Sequence, residues 1–526
     1  MLAVVPAPET APQPFEEARA DFSQLQQYLT STEARGMSHS DLERELRRRS
    51  DELMRKMLQG HLESRGPGDT SAPVVGADGV ERRDERQHSR NLETIFGTVR
   101  VNRLGYGEAG VDSLHPLDAE LNLPTESYSL EVRRCVAVEA AKGSFEEAVK
   151  TLQRYTGAQV GKHQVEQLAV RASEDFDTFY ESRRTGPDVR SASDPILVLT
   201  FDGKGVIMHR QDLREATKAA AHRRAQRPAG SFVPRPERHE RKDAKRMATV
   251  AAIYTVAPYV RTPDAFLASL APTSRTVAAP PPKRPRPENK RVLASVKKDS
   301  WEVIEEAILD AEHRDPRHEK TWVGLVDGAE TQLERIEEIA SAYEVPLVIV
   351  LDIIHVAQYV WKASRAFREE QHERDYWVQT RLKRVLEGKA VHVAAGMRRS
   401  ATLRKLSDSE REPVDKCADY LKKYAAYLRY DEYLAAGLPI ATGVIEGAVR
   451  HLVKDRMELT GARWRLTGAE AILRLRALRS SGDFDEYWQF HEAQQYKRNH
   501  AARYRDGTVP RTNQPQERPN LRLVKG

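Results

Sequence analysis

Asp202-Gly203 closes the run Ile196–Gly203 (Ile-Leu-Val-Leu-Thr-Phe-Asp-Gly), and Asp327-Gly328 closes Trp322–Gly328 (Trp-Val-Gly-Leu-Val-Asp-Gly). A third apolar run, Leu347–His355, ends in Asp352-Ile-Ile-His355. Carboxylates in such places are costly unless they are hydrogen-bonded, protonated or bound to a cation. Hard oxygen ligands suit Mg²⁺ or Mn²⁺. Two such ions about 4 Å apart activate an attacking oxygen and stabilise a leaving one in phosphodiester chemistry. A single Asp at a β→α turn more often caps the next helix, but two matched Asp-Gly ends favour a site. Glycine after each lets a ligand or another backbone approach closely. His355, taken alone, reads equally as a cap or a surface residue.

Such sites usually take a further ligand from a helix, and Glu446 in Ala441–Trp464 is the best candidate. Thr442 as N-cap would put Glu446 in the first turn, near the positive helix end. Arg450 and Lys454 follow at successive i+4 positions on the same face. Gly443, Gly447 and Ala448 leave room for a bulky ligand. The plainer reading is a Glu–Arg surface pair worth only a few tenths of a kcal/mol. Glu458 is the alternative acid. On spacing alone, either Asp327 or Asp352 serves as the second strand ligand.

Short apolar runs of this type are strands buried on both faces, and acids at their C-terminal ends sit where open α/β sheets place chemistry. The three runs, with Met247–Val256, therefore predict an α/β section beginning near Asp194. Asp299–Ala311 and Thr331–Ala342 read as helices, and His355 to about Tyr433 reads as an all-helical insertion. Its apolar faces would come from Trp361, Phe367, Tyr376, Trp377, Leu382, Leu386, Leu421, Tyr424 and Leu428. Residues 271–292, with Ala-Pro-Pro-Pro-Lys-Arg-Pro-Arg-Pro, read as a mobile loop. Upstream, Phe15–Leu29 and Ser40–Glu63 read as charged helices, and Thr94–Tyr106 as a small hairpin. Leu130–Ala141 begins a helical run. Ser144–Arg154 and Val160–Ala172, broken at Gly157, then give a helix-turn-helix pattern. Val165, Leu168 and Ala169 would face inward, and Lys162, His163, Gln164, Gln167 and Arg171 outward toward DNA. A plain structural hairpin has the same pattern.

The 526 residues exceed one ordinary core. A formal net charge of +6 conceals segregation: 210–246, 280–298 and 496–526 are each strongly basic, on an otherwise acidic chain. That is the footprint expected for a polyanion partner. Two cysteines in no ligand-like spacing exclude a disulfide framework and a zinc knuckle. No apolar run reaches bilayer length, so no membrane association is expected. Met1–Pro14 lacks the basic start and apolar core of a signal peptide, so the expected location is cytoplasmic.

The ordered set Asp202-Gly, Asp327-Gly, Asp352-x-x-His355, helical block and Gly443-Val-Ile-Glu446 resembles the DDE transposases with an RNase H-like core. More narrowly, it is similar to the ISKra group of bacterial insertion-sequence transposases, over about Leu92 to Trp488. Arg456-x-x-x-x-Gly461-Ala-Arg-Trp464 resembles that group's segment after the catalytic Glu. The resemblance implies a triad of Asp202, Asp327 and Glu446 holding two Mg²⁺ or Mn²⁺ ions, with Asp352 and His355 in support. It decides for Asp327 over Asp352. It also implies Mg²⁺-dependent cleavage and strand transfer on double-stranded DNA, in a homodimer or larger synaptic complex at the bacterial nucleoid. Arg450, Lys454, Arg456, Arg463 and Trp464 would contact DNA, Trp464 serving as a wedge or as core. A non-catalytic DNA-binding regulator or domesticated transposase is the alternative.

The expected architecture is α/β, an RNase H-like mixed-sheet catalytic core with an all-helical insertion, preceded by a mostly helical DNA-binding region. By residue, 1–90 is a helical region and linker, and 91–185 is the hairpin with the helix-turn-helix. Residues 186–356 begin the core, 357–438 form the insertion, 439–490 carry the catalytic Glu helix, and 491–526 form a basic, disordered tail.

Overall fold

Continuous runs of aliphatic residues, too apolar for any surface strand, build the sheet of the larger unit, Phe176–Phe484. A computed structural model describes residues 13–186, 194–225, 244–270 and 284–513. The sheet contains β1 (Ile196–Ile207), β2 (Lys245–Val256), β3 (Glu288–Ser295), β4 (Thr321–Val326) and β5 (Leu347–Leu351). Their order is β5-β4-β1-β2-β3. The pairs β1–β2 and β2–β3 are antiparallel, whereas β1–β4 and β4–β5 are parallel. Parallel neighbours need a crossover. Between β4 and β5 it is the helix Glu330–Ala342, and before β4 it is Ser300–Arg314, opened by a reciprocal Asp299/Glu302 capping box. The result is a mixed α/β fold with a mixed sheet.

The helical block after β5 consists of Ile353–Ser364, Gln371–Leu386, Ala390–Leu403, Asp408–Lys423 and Tyr430–Ala435. One apolar cluster runs from Ile196 of β1 through this block to Ile440, so the helices share the core of the sheet. Trp361 and Tyr376 depart from the expected apolar faces and are exposed, while the other seven residues named for those faces are buried.

β3 corrects the reading of 271–292 as irregular. Glu288–Val292 belong to a strand, and 271–283 lie outside the described residues. The strand begins with charged residues, and its Arg291 is 1% exposed. It is accommodated by Asp310 and Glu306, each 2.7 Å from the guanidinium.

The second unit comprises 1–175 and 485–526. Helices Glu16–Thr30 and His39–Ser64 precede an antiparallel sheet of Asp84–Thr94, Gly97–Glu108 and Val111–Leu114. The expected hairpin over Thr94–Tyr106 is therefore corrected: its turn lies at Ile95–Phe96 and most of that stretch is one strand. Three helices follow, Leu130–Lys142, Phe145–Tyr155 and Lys162–Arg171, and each packs on the other two. The expected disordered tail is corrected as well. Residues 491–499 belong to the helix Phe484–Asn499, and Ala501–Arg503 and Arg505–Gly507 form short turns. Residues 514–526 lie outside the described residues, as does 226–243 of the first basic segment. Among the described residues, no helix is long and apolar enough to cross a membrane.

Candidate functional site

Strand register brings the acids together. β1 and β4 pair in parallel from Ile196–Thr321 to Thr200–Leu325, so two residues on, Asp202 stands beside Asp327. β4 and β5 pair up to Val326–Leu351, and the N–H of Asp352 donates to the carbonyl of Val326 at 2.8 Å. Three aspartates thus occupy one level on three neighbouring strands, with a spacing of about 4.8 Å between strands. Asp202 does not end its strand as expected. It pairs with Val250 inside the β1–β2 ribbon, and β1 continues to Ile207. The level is set by the end of β4, past which β1 has only one partner.

Asp327 turns the chain. One of its oxygens accepts the N–H of Ala329 at 3.0 Å, and its carbonyl accepts the Tyr420 hydroxyl at 3.1 Å. Gly328 has φ +87°, and a Cβ there would lie 2.9 Å from that hydroxyl. Gly328→Val should therefore cost about 2 kcal/mol, from a left-handed backbone and a displaced tyrosine. Urea unfolding measures this, and a loss below about 0.5 kcal/mol would mean the turn relaxes freely.

Asp352 is 3% exposed and fully engaged. One oxygen accepts the N–H of Ile354 at 2.9 Å and the other accepts the Thr442 hydroxyl. Burial raises its pKa, and the bonds from Thr442 and Ile354 oppose the rise. Thr442 stands at the N-cap position of Gly443–Ala448 but makes no side-chain cap, because its hydroxyl is given to Asp352. Asp352 thereby ties the end of β5 to the helix carrying Glu446, a second tie being Ile353 N–H to Ile440 O at 3.0 Å. Both oxygens of Asp352 are thus given to bonds that tie elements together, whereas one oxygen of Asp327 accepts the Ala329 N–H. His355 packs its ring against Tyr359 and Tyr420, which stack on each other at 4.2 Å.

Glu446 is exposed on Gly443–Ala448, which runs into a π-helical turn, Val449–Lys454. That turn replaces the 3.6-residue period with a wider one around Arg450 and Lys454. Lys454 is carried close enough to act on Asp202. Burial raises the Asp202 pKa, the Gly203 N–H opposes this, Asp327 and Glu446 raise it further, and Lys454 lowers it. Asp202 thus senses both other carboxylates electrostatically, and all the donors are oxygens. That donor set fits a hard divalent cation, which would relieve their repulsion. Glu458, the alternative acid, is paired with Lys204 at 2.9 Å.

Arg456 and Trp464 are corrected as DNA contacts. They are 3% and 5% exposed, with the guanidinium 4.7 Å from the indole centroid and the indole N–H donating to Met457 O. Backbone bonds with Ile207 and His209 hold Trp464 beside the end of β1, so it belongs to the core. Arg450, Lys454 and Arg463 are exposed.

In the second unit, Val165, Leu168 and Ala169 are buried, and Lys162, His163, Gln167 and Arg171 are exposed, as the pattern predicts. Gln164 is half-buried. Gln167 bonds His163 one turn back, and Arg171 pairs with Glu126.

Sequence reasoning missed one cluster. Glu174, Asp175 and His491 are the only group among the described residues with three such ligand atoms within 4.8 Å of one another. The Asp202 triad is more open than that. The missed cluster already holds a cation, however, since Arg498 donates to both Asp175 and Glu174. His491 lies more than 300 residues from the adjacent Glu174 and Asp175, so no local spacing announces the cluster. No protein-family model matches the chain, and no curated protein matches it.

Proposed function

We propose that the chain is a DDE transposase of the ISKra type, with an RNase H-like core, that binds insertion-sequence ends and catalyses Mg²⁺-dependent cleavage and strand transfer. One observation carries the reading: Asp202 and Asp327 stand side by side on parallel strands with Glu446 in electrostatic reach. The strand order, with β2 alone running against the other four, supports the RNase H-like assignment. Asp202, Asp327 and Glu446 would hold the two Mg²⁺ or Mn²⁺ ions, which supply charge neutralisation and activation of the attacking oxygen. Asp352, through Thr442, sets the helix that presents Glu446, and Lys454 adds positive charge beside Asp202. The oxygen of water, and then of a freed 3′-hydroxyl, attacks phosphorus as the opposite P–O bond breaks. The attacking oxygen's proton passes to solvent, and no covalent protein intermediate forms. The partners are double-stranded DNA and a second copy of the chain or a larger assembly.

The deciding experiment is incubation with duplexes bearing candidate element ends and Mg²⁺, the products mapped strand by strand. Joining of a 3′ end to target DNA supports a transposase, cleavage without joining indicates a nuclease, and binding alone indicates a regulator. The exposed face of Lys162–Arg171 would read the ends. Lys162→Ala with Gln164→Ala should reduce preference for end sequences over random duplex about 10-fold. An unchanged preference in competition binding would leave this hairpin a structural role.

A further inference from the structure

We propose that the cavity beside β2 and the Glu446 helix holds one unstacked deoxynucleotide of a DNA strand, its base against Tyr254 and Tyr259 and its phosphate against Arg261 and Arg284. This rests on the transposase reading and adds a binding site to it. The cavity measures about 400 Å³, large enough for one nucleotide and far too small for a duplex. Tyr254, Tyr259, Arg261, Arg284, Arg286 and Gly443 line it, and among the described residues no acid does.

Two of these groups lack a partner. Tyr254 is 3% exposed, and its hydroxyl makes no hydrogen bond among the described residues. Burial drives its pKa upward, so it remains a protonated donor at neutral pH. The Nε of Arg261 is buried without a hydrogen-bond partner. Its guanidinium lies 4.8 Å from the Tyr259 ring and 5.2 Å from the Phe266 ring. Burial first, and then the charge of Arg284, lower the Arg261 pKa. Two like charges gathered on an aromatic wall, with no carboxylate between them, are a setting that an anion completes. Arginine and tyrosine faces together are also a stacking platform for a base.

The wall is built rather than incidental. Gly437 has φ +73°, and a Cβ there would lie 2.7 Å from the Tyr259 nitrogen. That close approach lets Tyr259 N–H donate to Gly437 O at 2.9 Å and Arg261 N–H to Leu434 O at 3.2 Å. Position relative to the carboxylates supports a strand-borne nucleotide. On the β1–β2 ladder, Asp202 is opposite Val250 and Tyr254 is opposite Val198. Val250 and Tyr254 are four residues apart on one strand, so they share a sheet face at a separation of about 13 Å. Gly443 and Val444, three and two residues before Glu446, close the cavity on that side. Counting about 3.4 Å per nucleotide, the duplex value and a lower bound for an unstacked strand, the occupied nucleotide would lie within about four nucleotides of the scissile phosphate.

Equilibrium dialysis of the full chain in metal-free buffer tests this with dAMP, deoxyadenosine, inorganic phosphate and a single-stranded tetranucleotide. Wild type should retain dAMP at least about 10-fold better than deoxyadenosine or phosphate, and the tetranucleotide better still. Arg284→Gln, an exposed position that keeps the fold, should weaken dAMP about 10-fold, and Tyr254→Phe several-fold. Absent dAMP binding, equal binding by the variants, or phosphate held as tightly as dAMP overturns the site. A tetranucleotide no tighter than dAMP overturns its assignment to a DNA strand. Loss of dAMP binding in a chain that cleaves and joins DNA refutes only this site, whereas dAMP binding in a chain that never cleaves refutes only the transposase reading.

Discussion

Asp202→Asn is expected to lower Mg²⁺-dependent cleavage of element-end DNA at least about 10³-fold, about 4 kcal/mol of transition-state stabilisation, with DNA binding nearly unchanged. The same substitution should stabilise the fold. Burial and the nearby Asp327 and Glu446 raise the Asp202 pKa above its ordinary value. A carboxyl whose folded pKa is raised supports folding fully below the unfolded pKa, and that support is lost as pH rises through the folded value. At pH 7 without metal, ionised Asp202 therefore works against the folded state, and the neutral, isosteric amide removes the cost. Melting curves should show the variant above wild type at pH 7 and the gap closing as pH falls toward the ordinary carboxylate range. Mg²⁺ should raise the melting temperature of wild type and move the variant less. Full cleavage by Asp202→Asn would remove this residue from the site, and a variant that melts lower at pH 7 would show that its carboxylate is not under strain.

Arg291→Ala should destabilise the larger unit by about 3 kcal/mol, read by urea or thermal unfolding. Burial pulls the Arg291 pKa down, but Asp310 and Glu306 outweigh it, so the side chain is a buried cation. Its guanidinium also lies 3.7 Å from the Tyr180 ring centroid. Removal leaves two acids in a dry setting, and the low end of the usual range applies because Arg314 still reaches Asp310 and Lys298 still reaches Glu306, each at 2.8 Å. Arg291→Met combined with Glu306→Gln should recover more than half of the loss, since apolar bulk replaces the guanidinium while Asp310 keeps Arg314 and Lys298 keeps Asp177. A loss under about 1 kcal/mol for Arg291→Ala would show that water enters and solvates the acids.

The residues that were easy to read and those that were not differ in a physical way. Ile196–Phe201, Trp322–Val326 and Leu347–Leu351 are so uniformly apolar that only a strand covered on both faces suits them, and all three lie in one sheet. Helices with local caps were equally legible: Ser144 with Glu147 opens Phe145–Tyr155, and Asp299 with Glu302 opens Ser300–Arg314. β3 was hidden because Lys290 and Arg291 look like surface. Arg291 becomes interior only when Asp310 and Glu306, on a separate helix, meet it. Trp464 and Arg456 resembled exposed contacts for the same reason, since their burial depends on the distant end of β1.

Sequence alone determined the alternation of buried strands and capped helices, the Asp327-Gly328 exit, the glutamate on a later helix and the basic segments. These follow from composition and short-range period, which need no knowledge of what lies opposite. Tertiary structure alone decided that Asp202 and Asp327 share a register level, that Asp352 gives both oxygens to structural bonds, and that a π-helical turn delivers Lys454 to Asp202. Each depends on a pairing between segments from about 90 to about 250 residues apart. The energy of bringing charges together is set by distance and burial, and neither is written in the order of residues along a chain.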